Sequence, residues 1–328
     1  MKEIGGYLEA EHFRGNELYP HAMKLNLGRT AAALYLKETG ARKVWLPRFL
    51  CTSVTDALKK EGMELLFYGI LPDFTPDEKD LPDRPMEEDE CLFVVNFYGQ
   101  IDNDRLLAMK KRWGNVFLDF THSFFQEPPA GMPALMSVRK FFGVTDGAYL
   151  FAAEDISLPK EQDESHTRFA HVLGRYERNA SEFYRQMLEN AESYVGAEPK
   201  RMSALTENLM RGIDYEYAAS VRNANFGILD ELLESVNELK QEGILKTPEG
   251  GAFCYPLLIR DGSRIRKELA KENIYVPTYW RNVIDEMPQG SLEYRYASDI
   301  LALPCDQRYG ASEMKTVAEA VLRLIGEE

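Results

Sequence analysis

The strongest constraint on this chain is the alternation of short, unbroken apolar runs with helix-forming segments through its first half. Lys43-Val-Trp-Leu-Pro47, Met63-Glu-Leu-Leu-Phe-Tyr68, Cys91-Leu-Phe-Val-Val95 and Val116-Phe-Leu-Asp119 each hold four to six residues. Runs of that length without polar alternation read as strands covered on both faces. Between them lie stretches of helical character: Thr30–Leu36, stopped by Gly40, then Thr52–Gly62, then Ile101–Trp113 with apolar positions at helical spacing. An acidic, proline-bearing loop, Pro72–Glu90, interrupts the series. Such βαβα order builds an α/β fold around a mostly parallel sheet sandwiched by helices. Ligands in such sheets gather at the carboxyl ends of the strands, where Pro47, Asn96 and Asp119 fall.

The second half has a different texture. Gln162–Val195 and Tyr215–Gly243 are long, charged and nearly free of glycine and proline, and each reads as one helix. After Pro248-Glu-Gly-Gly251 comes a strand-like run, Phe253–Ile259, then a helix Ser263–Lys271 with Ser263 as N-cap. Ile274-Tyr-Val follows, and a terminal helix spans Ser312–Ile325. This places a large α/β domain at 1–230 and a smaller α+β domain at 231–328; no internal repeat is visible.

With 328 residues the chain can bury one large core and a smaller one. A net charge of −14 disfavours nucleic acid and anionic membrane surfaces as partners. Cys51, Cys91, Cys254 and Cys305 are far apart and show no metal-ligand spacing, which fits reduced thiols. The opening Met1-Lys-Glu-Ile-Gly-Gly has no apolar stretch of signal-peptide type, and no run reaches membrane-spanning length. A cytoplasmic protein is the expectation.

Chemistry concentrates in two segments. Asp119 ends the run Val116–Asp119 and is followed three positions later by His122; Lys140 stands 21 positions after Asp119, in Ser137-Val-Arg-Lys140-Phe-Phe-Gly143. An amine and a carboxylate held together suit pyridoxal 5′-phosphate (PLP): the amine condenses with the aldehyde, and the carboxylate keeps the pyridine nitrogen protonated. Each residue also has an ordinary reading. Asp119 could cap a helix, His122 could be a satisfied core histidine, and Arg139-Lys140 could be a solvated pair. The apolar neighbours Leu135, Phe141 and Phe142 favour a desolvated lysine. Asn26-Leu-Gly28-Arg29-Thr30 opens a helix and could hold a phosphate on its free amides, or serve only as an N-cap. Tyr279, Trp280, Arg281 and Arg308 are polar or aromatic residues that could line a substrate site or lie on the surface.

In order and spacing these segments resemble the DegT/DnrJ-type sugar aminotransferases, a family of fold-type I PLP-dependent transferases. The resemblance rests on Gly5-Gly6-Tyr7, Gly28-Arg-Thr-Ala-Ala-Ala-Leu34, Trp45–Cys51 and Asn96-Phe-Tyr-Gly-Gln100. It continues through Asp119-Phe-Thr-His122-Ser, Ser137–Lys140, Asp146-Gly147, Arg222-Asn-Ala-Asn225-Phe and Leu303–Tyr309. It implies that Lys140 is the internal-aldimine lysine, Asp119 the pyridinium partner and His122 a neighbour of the cofactor hydroxyl. Gly28, Arg29 and Thr30 would fall on the phosphate turn, with Ser137 adding a hydroxyl. The aromatic residue that stacks on the ring near Cys51 would be Phe49 or Tyr98. Family members are homodimers that share the active site across the interface, and they move an amine from an amino acid, commonly glutamate, to a nucleotide-linked keto sugar. The chain departs from the pattern where many members carry a phosphate-binding serine five residues before the lysine, since Leu135 stands there. Family dehydratases carry histidine in place of the lysine, so elimination chemistry ranks below transamination. A non-catalytic relative that keeps the fold and dimer is the alternative from another class.

Overall fold

The computed structural model describes residues 4–327. Residues 1–3, where the reading of the amino terminus begins, lie outside them.

The α/β half forms as the apolar runs dictate. In chain order it comprises β1 (Met23–Leu25), α1 (Gly28–Glu38), β2 (Lys43–Pro47), α2 (Thr52–Lys60) and β3 (Glu64–Tyr68). It continues with β4 (Glu90–Val95), α3 (Asn103–Trp113), β5 (Val116–Asp119), β6 (Ala134–Ser137) and β7 (Ala148–Phe151). The strands make one seven-stranded sheet in the order β1-β7-β6-β5-β4-β2-β3. All six residues of β4 are buried, as a central strand between two parallel neighbours requires. Tyr35 of α1 packs on Phe117 in β5, and Phe117 stacks on Phe93 in β4, so this helix–sheet layer is aromatic.

One strand runs against the rest. β7 pairs antiparallel with both β1 and β6, in a register that sets Ala148 opposite Leu25 and Ser137. Three segments therefore meet at the carboxyl edge of the sheet: the turn after β1, the loop after β6, and the Asp146-Gly147 entry to β7. The Gly147 amide donates to the Asn26 carbonyl at 2.5 Å, and the Val138 amide donates to the Gly147 carbonyl at 3.2 Å. Gly147 has φ +117°, and a Cβ there would lie 2.5 Å from Val138 Cγ2. Only glycine lets these backbones come this close.

Beyond β7 the chain forms α4 (Ala170–Glu177), α5 (Tyr184–Glu192), α6 (Ala204–Met210), α7 (Tyr215–Leu233) and α8 (Glu238–Gln241). Next come β8 (Tyr255–Leu258), α9 (Gly262–Lys271), α10 (Arg281–Glu286), α11 (Leu292–Asp299), β9 (Ile300–Leu303) and α12 (Ala311–Gly326). β8 and β9 form an antiparallel pair. α7 packs on β8 and α9 on β9, and α12 packs against both helices.

Several expectations are corrected here. The single helix Gln162–Val195 is two helices, because Arg178 turns extended and the Glu182 carboxylate accepts the Asn179 amide to start afresh. Tyr215–Gly243 likewise breaks, since Asn237 accepts the Leu239 amide and caps α8. Ser263 is not an N-cap: Asp261, with φ +52°, occupies that position, and Gly262 begins the helix. Gly262 is required there, because a Cβ would stand 2.3 Å from the Asp299 carbonyl oxygen. β6 and β9 lie in four-residue runs with no local mark of their own.

Candidate active site

Lys140 ends a single helical turn, Val138–Lys140, that follows β6. Phe141, its neighbour, is pinned from the second half: its carbonyl accepts Arg222 Nη2 at 2.9 Å and Gln307 Nε2 at 3.1 Å. Arg222 is 2% exposed and also donates to the Ala252 carbonyl at 2.8 Å. This holds the lysine turn between the sheet and the β8–β9 unit.

Lys140 is exposed as a residue, yet burial is the main force lowering its pKa, followed by the charge of Arg139. A side chain that is both accessible and desolvated lines a hollow rather than the outer surface. Among the described residues Lys140 makes no hydrogen bond or ion pair; its Nζ stands 5.3 Å from the centre of the Tyr279 ring.

Asp119 sits at the end of β5, opposite Val95 and Leu135 in the neighbouring strands. It is buried, and its Oδ1 accepts the Thr121 amide at 2.8 Å. Burial raises its pKa; the Thr121 hydrogen bonds and the Lys140 charge oppose this. No basic side chain pairs with it among the described residues. His122 is also buried, which holds its pKa well below that of a free imidazole, and Lys140 pushes the same way. It is therefore neutral. Its ring stacks on Phe253 at 4.1 Å between centroids and 14° between planes, with Tyr98 at 5.5 Å and Tyr279 at 5.7 Å.

The turn after β1 closes the other end. α1 begins at Gly28, where a Cβ would meet Leu135 Cδ1 at 3.1 Å and Ser137 Cβ at 3.9 Å. The two-residue period of β6 puts Leu135 and Ser137 on one face, towards α1. The Thr30 hydroxyl is turned inward, donating to Asn26 Oδ1 at 2.8 Å and the Leu27 carbonyl at 3.0 Å. Cys51 caps α2, accepting the Ser53 amide at 3.4 Å, and lies within electrostatic reach of Lys140 and Arg29. Arg139 packs over the Tyr194 ring at 5.1 Å, within electrostatic reach of Arg29.

Lys140, Asp119, His122, Arg29 and Cys51 are thus gathered at one end of the sheet. Phe49 is itself buried and packs 4.3 Å from the half-buried Trp280 and 5.0 Å from Phe97. Arg281 is exposed beside Asp285, and Arg308 pairs with Asp306 at 2.6 Å. The sequence did not single out Phe253 or Tyr194, gave Arg139 no role of its own and left Tyr279 undecided. Only their packing marks them.

No family model matches the sequence, and no curated protein matches it. Solved structures do share its fold. A DegT DnrJ EryC1 StrS aminotransferase from Brucella abortus aligns with TM-score 0.60 and 15% identity, over 93% of this chain and 86% of that one. Helicobacter pylori PseC, an aminotransferase involved in the biosynthesis of pseudoaminic acid, aligns with TM-score 0.63 and 15% identity, over 94% and 87%. S. venezuelae DesV, solved in complex with a ketimine intermediate, aligns with TM-score 0.61 and 16% identity, over 92% and 84%. The fold is therefore the one these aminotransferases carry, along nearly the whole chain.

Proposed function

We propose that the protein is a PLP-dependent aminotransferase that moves an amine from an amino acid, glutamate by the family resemblance, to a keto acceptor of the nucleotide-linked sugar class. The observation that carries this reading is a set of unpaired charges at the carboxyl edge of this fold. Among the described residues Lys140, Asp119, Arg29 and Arg139 form no direct ion pair; Lys140 and Asp119 act on each other, Asp56 on Arg29 and Asp146 on Arg139, only at longer range. A ligand with a protonated ring nitrogen, an aldehyde and a phosphate would complement all of them. When bound, PLP supplies an aldehyde that condenses with amines and a ring that takes up the electron pair of a deprotonated carbon.

The chain's own residues do the rest. Asp119 holds the proton on the ring nitrogen, its own charge compensated by doing so. His122, neutral through burial, is a hydrogen-bonding neighbour for the ring hydroxyl rather than a competing cation. Lys140, its pKa lowered chiefly by burial, is the group that would take the proton from the donor's α-carbon. Phe253 and Tyr279 wall the hollow beside His122 and Lys140 and limit water.

Homodimerisation belongs to the same proposal. The N-terminal segment exposes Ile4, Tyr7 and Leu8 at 95% or more, an apolar arm that suits a second copy of the chain. A division into units 1–230 and 231–328 and residence in the cytoplasm complete it. Among the described residues no helix is long and apolar enough to cross a membrane. The test is spectroscopic. Purified protein mixed with PLP should gain a visible absorbance band that borohydride bleaches and that Lys140→Ala lacks. Adding glutamate should then shift the band. A colourless wild-type protein would favour a non-catalytic relative of the fold.

A further inference from the structure

The phosphate end of the site is built unlike the rest. Leu135 lies against Gly28 where a hydroxyl-bearing side chain could otherwise reach the turn, and Thr30 spends its proton on α1's own backbone and Asn26. Hydroxyl donors are thus scarce, with Ser137 half-buried beside the turn. Guanidinium groups are abundant instead. Arg29 is in the first turn of α1, and Arg139 immediately precedes Lys140. Both are largely desolvated, and neither pairs with a carboxylate among the described residues.

Tyr194 supports the Arg139 guanidinium. Its ring takes Arg139 on one contact, at 5.1 Å, and Arg168 on another, at 4.8 Å. Its hydroxyl is anchored on the Thr145 carbonyl at 3.1 Å, and Arg29 lies within its electrostatic reach. Arg168 is neutralised by Asp163 at 2.9 Å and so acts as packing behind the ring. Arg29 and Arg139 have no such ion pair among the described residues; Asp56 and Asp146 act on them only at longer range. A protein has little reason to desolvate two adjacent cations without an anion to set between them.

We infer that Arg29, in the first turn of α1, and Arg139, shelved on Tyr194, form a two-guanidinium cradle that holds the cofactor's phosphate dianion by charge in place of hydroxyl donors. The inference rests on the PLP reading and adds to it Arg139, a positioning residue for the cofactor. Guanidinium–phosphate contacts are charge-assisted, bidentate and weakened by salt.

The experiment compares PLP with pyridoxal, which has the aldehyde but no phosphate, by titrating the visible absorbance of wild type, Arg29→Gln, Arg139→Gln and Arg139→Lys. Thermal melting with and without inorganic phosphate gives a second readout that needs no cofactor. Each glutamine variant should bind PLP about tenfold more weakly, bind pyridoxal as wild type does, and lose the protection that phosphate gives wild type. Arg139→Lys should recover part of the PLP affinity. Unchanged PLP binding in Arg139→Gln, or equal losses for PLP and pyridoxal, would overturn the cradle. If wild type stays colourless with both aldehydes, the aminotransferase reading fails. In that case phosphate protection of wild type but not of Arg139→Gln still supports the cradle, and no protection of either overturns it.

Discussion

Replacing Gly147 by alanine adds one methyl group at the junction of α1, β6 and β7, and two separate costs follow from its position. The backbone is at φ +117°, a region in which a side chain costs about 1–3 kcal/mol. The new Cβ would also stand 2.5 Å from Val138 Cγ2, 3.1 Å from Thr206 Cγ2 and 3.2 Å from the Met202 Cε methyl. Relieving that overlap in a packed core costs about 1–3 kcal/mol more. The total is about 2–6 kcal/mol. Unfolding entropy of about 2.1 cal/mol/K per residue implies about 1.5 °C of melting temperature per kcal/mol for a chain of this length, so the drop is about 3–9 °C. Differential scanning calorimetry of the cofactor-free protein reads it. Gly227→Ala is the matched control: this glycine is exposed inside α7, and a Cβ there meets nothing within 4 Å. The same methyl group should then stabilise the helix by about 0.5–1 kcal/mol, raising the melting temperature by about 1 °C. A Gly147→Ala protein that melts within about 1 °C of wild type, or that moves in the same direction as Gly227→Ala, would refute the argument. A lasting loss of PLP absorbance in Gly147→Ala is also expected, because Val138 carries the turn that ends at Lys140.

Other perturbations test the site's electrostatics and its supports. The folded-state pKa of Asp119 is raised, chiefly by burial, so the stability it contributes when protonated is lost as pH rises through that value. Cofactor-free Asp119→Asn should therefore melt higher than wild type at neutral pH, with the gap closing below the ordinary aspartate value of 3.8; a constant gap across that window contradicts this. Asp146, fully buried, accepts the Ser203 amide and hydroxyl at 2.8 Å each and the Thr206 hydroxyl at 2.5 Å. Asp146→Ala orphans these donors and should cost about 2–4 kcal/mol in denaturant unfolding. A cost under about 1 kcal/mol would show that water replaces the carboxylate there.

What the sequence determined by itself is local, and it was legible because strand burial and helix periodicity leave their mark within ten residues. The runs at 43–47, 91–95 and 116–119 became β2, β4 and β5 almost to the residue, and Gly40 follows α1 with φ +82°. The break at Asn179 was also written locally, as an asparagine three residues before Glu182, but the charged composition around it read as continuous helix. Lys140 and Asp119 stood out because their residue types and flanking apolar runs set them apart. Tertiary structure decided the rest. No local rule makes β7 run antiparallel, yet that direction delivers Gly147 to the turn after β1. Nor does Arg139 announce that it folds inward, since its shelf, Tyr194, is 55 positions away along the chain, and Phe253 is farther still from the His122 it covers. Desolvation of a charge is a property of everything packed around it, and most of that packing arrives from distant segments.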